Sequence, residues 1–148
     1  MRKSQTGARE LALNVLYQVD TTNAPVEEAL QDALEQVQID DAAKEYSQIL
    51  VRGTLKEIEQ IDERLSGLSP DWPLARQASV DRNILRLSVY EIDHVGTTPN
   101  AVVINEAVEL AKKFSTADSG KFINGVLAAY LRKHVTTDGG LEVGGTNT

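Results

Sequence analysis

Lys112, Lys113, Lys121 and Phe122 combine charge with an aromatic face around the short polar stretch STADSG. Lysines neutralise phosphates and a phenylalanine can stack on an unpaired base, so the set suits a single-stranded nucleic acid. Phe122 is equally suited to core packing. Catalytic chemistry finds little support. His94 and His134 are the only histidines, and neither stands at metal-ligand spacing from a second ligand. His134 falls in the last turn of a predicted helix, where a cation complements the dipole. With no cysteine there is no disulfide, thiolate ligand or thiol nucleophile. Gly120-Lys121 lacks the upstream glycine and the strand of a phosphate loop, and Gly144-Gly145 lies in a glycine-rich tail. Glu106 and Glu109 fall on the polar face of their helix, and Glu109 stands four residues before Lys113, as in a surface ion pair. The pattern predicts a binding protein rather than an enzyme, with no metal or cofactor.

The elements that position this corner are helices. Over residues 102–131, Ile104, Ala107, Val108 and Ala111 repeat at helical spacing, and so do Ile123, Val126, Leu127 and Tyr130. So short a break between them predicts an antiparallel pair. Gly125, inside the second helix, predicts a close backbone approach there. Earlier, residues 7–19 place Ala8, Leu11, Ala12, Val15, Leu16 and Val19 on one face. Pro25 opens a second helix striped by Val26, Leu30, Ala33, Leu34 and Val37. A third segment over residues 40–65 carries Tyr46, Ile49, Leu50, Leu55, Ile58 and Leu65, with Gly53 as a bend or a close crossing. Residues 66–73, SGLSPDWP, form the clearest linker. Residues 74–92 are helical next, and Ile84, Leu85, Leu87, Val89 and Ile92 cover more than one face, so this helix should be nearly surrounded. Residues 94–99 read as a loop. No stretch alternates as a strand. The prediction is an all-α, compact helical bundle of about six to seven helices in two packed helical subdomains. They should fall at about residues 1–68 and 74–135 of one domain over 1–135, with residues 136–148 a disordered tail.

At 148 residues the chain can bury one sizeable core. The net charge of −7 conceals segregation. Residues 20–64 carry twelve acids against Lys44, Arg52, Lys56 and Arg64, whereas only bases precede Glu10: Arg2, Lys3 and Arg9. Residues 111–134 set five bases against Asp118 alone. Two basic segments on an acidic protein can make a local phosphate-binding patch, or simply solvated helix ends. No apolar run reaches the roughly 20 residues that span a bilayer, and the N-terminus has no uninterrupted apolar stretch of a signal peptide. A cytoplasmic location without membrane association is the expectation.

Several motifs carry a resemblance. ARELALNVLYQ, DRNILRLSVYE, INEAVELAKKF and DSGKFINGVL stand in the order and spacing of the NusB family of bacterial transcription antitermination factors, with the Trp72 linker between the halves. The resemblance spans residues 9–133. Patterns like the last two also occur in an RNA-binding module of ribosomal RNA cytosine methyltransferases, but no methyltransferase domain follows them here. The resemblance implies an all-α fold of two subdomains that binds single-stranded boxA RNA of ribosomal RNA operon leaders together with the ribosomal protein NusE. It further implies a place in the RNA polymerase antitermination complex, promotion of full-length rRNA transcription, possible homodimers, and no cofactor.

Carried over residue by residue, the resemblance implies RNA contacts from Arg2, Lys3, Arg9, Tyr17, Lys113, Asp118, Ser119, Lys121, Phe122 and Asn124. Ser4, Gln5, Thr6 and Gly7 stand where further basic residues often occur in the family. Asp118 is expected to cap its helix and, as a lone acid, to repel RNA slightly. Tyr17 is alternatively a core-closing residue. The resemblance also implies partner binding by Asp81, Arg82, Arg86 and Glu91, for which internal ion pairing is the alternative. At the level of function, the alternative is an acidic, all-helical protein–protein adaptor without intrinsic RNA binding.

Overall fold

A computed structural model describes residues 2–136. The tail expected at residues 136–148 therefore lies outside the described residues from 137 onward, as do the side chains of Arg2 and Lys3. Seven α-helices follow one another: α1 (Arg2–Thr22), α2 (Val26–Gln36), α3 (Asp41–Lys56), α4 (Ile58–Leu65), α5 (Ser79–Tyr90), α6 (Asn100–Phe114) and α7 (Ala117–Tyr130). A 3₁₀ turn at Leu74–Arg76 precedes α5, and wide π-type turns at Glu91–Val95 and Leu131–Thr136 extend α5 and α7. There is no strand among the described residues. The protein is all-α, with two helical subdomains packed together.

The periodicity explains most of this. α5 buries Ile84, Leu85, Leu87 and Val89 together with Asp81, Asn83 and Ser88, so it is covered almost all round. It touches α1, α3, α4, α6 and α7 and is the axle of the bundle. α1 buries Ala8, Leu11, Ala12, Val15 and Leu16, and also Leu13 on a second face. Its helix begins well before Gly7, because nothing in RKSQT breaks it, and one glycine costs only about 1 kcal/mol. It ends at Asn23, which takes a left-handed conformation (φ 58°) ahead of Pro25.

Four expectations are corrected. The segment at residues 40–65 is two helices, and the break falls at Glu57 (φ −100°, ψ 14°), not at Gly53. Gly53 marks a close crossing instead: a Cβ there would lie 2.0 Å from the Tyr90 ring, which fills the space a side chain would need. Gly125 is the reverse case, exposed and with open space where its Cβ would stand, so no close approach occurs there. On α6 the fully buried residues are Val103, Ala107, Leu110 and Ala111, whereas Ile104 and Val108 are only half-buried. Ile49 is exposed, because α3 turns Leu50 and Val51 inward.

Charged residues fasten the helices together. Arg9 on α1 and Glu91, just past α5, are 3% and 1% exposed and form a bidentate pair, with Arg9 Nε donating to Glu91 Oε1 at 2.8 Å. The Tyr46 hydroxyl from α3 donates to Glu91 Oε2 at 2.6 Å. Burial, and next the hydrogen bond to Glu91, hold this phenol above its ordinary pKa, so it remains a donor. Burial disfavours the Arg9 charge, but the bonding and charge of Glu91 outweigh it and raise its pKa. Glu106 on α6 lies 3.4 Å from Arg9 and accepts from the Thr6 hydroxyl at 2.8 Å. One cluster thus joins α1, α3, the end of α5, and α6.

Removing one member of a buried pair leaves the other charged and without compensation, at a cost of about 3–5 kcal/mol. Glu91→Ala should therefore lower unfolding stability by that order in a urea titration, with Arg9 stranded. A loss within about 0.5 kcal/mol, the usual range for surface substitutions, would show that the pair does not fasten the bundle.

Candidate nucleic-acid interface

The corner between α6 and α7 is built by hydroxyls. Thr116 is the N-cap of α7, its Oγ1 accepting from the Ser119 backbone N–H at 3.0 Å. The Ser119 hydroxyl lies 2.9 Å from Ser115 Oγ and donates to Asp81 Oδ2 on α5 at 3.0 Å. Asp118, expected as the cap, is exposed in the first turn and complements the helix dipole without capping. Asp118 is two residues too late, since the cap belongs to the last residue outside the helix, Thr116. Ser119 is half-buried and acts as a strut that fixes the start of α7 against the start of α5.

On this frame Lys112, Lys113 and Lys121 are exposed, as is Asn124. Lys113 Nζ donates to Glu10 Oε2 on α1 at 2.8 Å, and it stands 5.4 Å from the centroid of the Phe114 ring. Phe114 is 38% exposed, whereas Phe122 is half-buried and packed on the core. Phe114 is thus the open aromatic face at this corner, and the sequence reading passed over it as the last letter of AKKF. Its place beyond Leu110 and Ala111, after the apolar stripe has ended, was the available signal. Tyr17 is also open, at 43% exposed, so it does not close the core. Glu10, Asn14 and Tyr17 recur at helical spacing on one face of α1, which places Tyr17 about 10 Å along the helix from the Glu10–Lys113 bridge. The corner therefore presents cations beside aromatic faces.

Other expected site residues turn inward. Arg9 is buried against Glu91 and Glu106 and has no surface to offer a phosphate. The four residues expected at a partner surface are internal for a common reason, since α5 is the axle. Glu91 is held by Arg9 and Tyr46. Arg82 Nη2 donates to Asp20 at 2.7 Å, joining the end of α1 to the start of α5. Burial raises the Asp20 pKa, but bonding from Arg82 and Asn83 outweighs it and brings the carboxyl below its ordinary value. Arg86 grips Asp62 on α4 with two bonds of 2.8 Å. Asp81 is buried, with Oδ2 on Ser119 and Oδ1 lacking a protein partner.

The histidines are structural. His94 stacks on Tyr90 at 5.1 Å and His134 lies 4.9 Å from the Tyr130 ring. His134 Nε2 donates to the Arg64 carbonyl at 2.9 Å, so the helix end it serves is that of α4 rather than its own. No group of three potential ligand residues that could hold a metal ion exists among the described residues. No described helix is long and apolar enough to cross a membrane.

Comparison with known proteins gives a consistent answer. The NusB family model matches residues 6–132. The transcription antitermination protein NusB of Desulforamulus reducens is 43% identical over 124 residues, covering 84% of this chain and 87% of that relative. Its counterpart in a Thermoanaerobacter strain is 40% identical over 144 residues, covering 97% and 98%. A crystal structure of the antitermination factors NusB and NusE in complex with dsRNA contains a chain that superimposes with a TM-score of 0.84 at 32% identity, covering 90% of this chain and all of that one.

The two phenylalanines should separate in a melting experiment. Phe114→Ala should change stability by no more than about 0.5 kcal/mol, whereas Phe122→Ala should cost about 1–3 kcal/mol, less than a fully buried ring. Equal losses would mean that Phe114 is not the open face described.

Proposed function

The chain belongs to the NusB family, and from that premise we propose that it is a transcription antitermination subunit that binds single-stranded boxA RNA of ribosomal RNA operon leaders together with NusE, favouring full-length rRNA transcription. The family is one of non-enzymatic antitermination factors. The observation that carries the RNA reading is the corner where Lys112, Lys113 and Lys121 are exposed and Lys113 stands over the open Phe114 ring, with Tyr17 further along α1. Phosphates would lie on the lysines and on Arg2 and Lys3 at the start of α1, while unstacked bases lie on Phe114 and Tyr17. Asn124 offers a donor and an acceptor to a base edge. Phe122, half-buried, supports the corner from below. The protein partner finds no exposed charge set on α5, so NusE recognition belongs to residues other than Arg82, Arg86 and Glu91. The solved relative in which NusB and NusE are in complex with dsRNA supports RNA and NusE as partners.

Phosphate contacts release counterions, so affinity for a boxA-like single strand should fall steeply with salt, by roughly 0.7 units of log–log slope per contact. Lys121→Ala should remove about one such increment. Phe114→Ala should instead remove a nearly salt-independent 1–3 kcal/mol, roughly the worth of one stacked base. Asp118→Asn should strengthen binding, because it deletes an exposed acid three residues before Lys121 on α7 while keeping its shape. Binding that is weak and indifferent to salt, with NusE association intact, would leave the protein–protein adaptor as the better reading.

A further inference from the structure

Phe114 is the open ring of the α6/α7 corner, yet one of its faces is already occupied. Lys113 Nζ stands over that ring, 5.4 Å from its centroid. A cation at this distance is attracted by the electron-rich face. The same ammonium donates to Glu10 Oε2 on α1 at 2.8 Å. Glu10, Lys113 and Phe114 therefore form one unit, in which a carboxylate of α1 holds a lysine of α6 over the phenylalanine that follows it.

An ion pair between exposed side chains is ordinarily weak, because both must be ordered to make it. Here one end is set in place from behind. Arg9, the residue before Glu10, is locked in the buried cluster with Glu91 and reaches Glu106 on α6. Thr6, one turn before Glu10, donates to the same Glu106. These contacts fix α1 against α6 about two turns before Lys113. The Glu10 side chain is 28% exposed and that of Lys113 is 58% exposed, so the carboxylate is the fixed member and the lysine the movable one. Lys112 is a useful contrast. Its carboxylate neighbour, Glu109, lies 3.6 Å away on the same helix, and both side chains are exposed.

We propose that Glu10 is a positioning residue that sets RNA affinity through Lys113: it holds the ammonium over Phe114 in the free protein, and RNA engages the corner by drawing the lysine away. The RNA half of this proposal rests on the RNA-binding function; the cover itself does not. The Glu10 carboxylate competes with phosphate for the same cation. A phosphate that takes Lys113 bares the Phe114 face in the same movement, so the charge contact and the stacking surface become available together. Glu10 thus lowers affinity at each step, by neutralising the lysine and by keeping the ring covered.

The cover is read first without RNA, by proton NMR of the full chain. The ring current of Phe114 should shift the Lys113 ε-methylene protons upfield, and Glu10→Gln or Phe114→Leu should return them to the ordinary lysine position. Unshifted protons in the unsubstituted protein would overturn the cover. Binding is measured second. Glu10→Gln should strengthen binding of a single-stranded boxA-like RNA about two- to five-fold, the worth of an exposed ion pair. It should also steepen the salt dependence by up to about 0.7 units of log–log slope, since Lys113 then meets phosphate with no carboxylate beside it. In a Lys113→Gln background the same substitution should lose most of that gain, and Glu109→Gln, which frees a lysine that covers no ring, should gain less. Equal gains with and without Lys113 would mean that Glu10 merely repels RNA, and would overturn the proposal. So would the absence of any gain in a protein that binds RNA. RNA binding absent from every variant would sink the functional reading instead, with the ring shift deciding the cover by itself.

Discussion

The bundle depends on a buried ion pair. Arg9 and Glu91 are separated by 82 positions in sequence, and both are withdrawn from water. Taking two charges out of solvent is costly, and their attraction offsets that only when geometry is good and the remaining lone pairs are filled. Here Tyr46 and Glu106 complete the set, so four separate stretches of chain must arrive together before any one of these groups is satisfied. An apolar core tolerates slippage better than such a cluster, because any packing of similar volume is acceptable to it. The pair therefore contributes definition as much as stability: it fixes how far α1 sits along α5 and which face of α3 meets them.

The same logic repeats in weaker form around the axle. Arg82 with Asp20, Arg86 with Asp62, and Asp81 with Ser119 each bind α5 to a different neighbour. The Ser119 link matters for the surface as well. It holds the first turn of α7 in place through hydroxyls that carry no charge, and the nearby lysines are left free of carboxylates apart from Glu10 and Glu109. A basic corner can thus be rigid without being neutralised.

Helix count, the central place of α5 and the apolar stripes of α1 and α7 were legible in the sequence, because 3.6-residue periodicity reports burial directly. Much of the site was not. ARELAL and SVYE contain the partners of the strongest pair in the protein, but a motif does not say whether an arginine points at solvent or at a glutamate far along the chain. The resemblance offered Asp81, Arg82, Arg86 and Glu91 as a partner face, with internal ion pairing as the alternative, and a helix covered almost all round turns these charges to its neighbours. Phe122 and Phe114 differ only in rotation about their helices, near a break where the phase is hardest to read. Gly53 and Gly125 looked alike as glycines inside helices. Only the position of the Tyr90 ring distinguishes the one that must lack a side chain.

The bond from His134 to the Arg64 carbonyl has a consequence for synthesis. Chains emerge from the ribosome N-terminus first, and early segments usually fold as they appear. Here the Arg64 carbonyl near the end of α4 is satisfied by a residue 70 positions later, Thr6 waits for Glu106, and Arg9 waits for Glu91. Half-made chains carry α1 with a bare guanidinium and α4 with the Arg64 carbonyl unfilled, so the first four helices lack partners that only the second half of the chain brings. Closing such distant pairs slows folding. The protein becomes itself only when its last helical turn has left the tunnel, which makes a truncated product easy for a cell to recognise as unfinished.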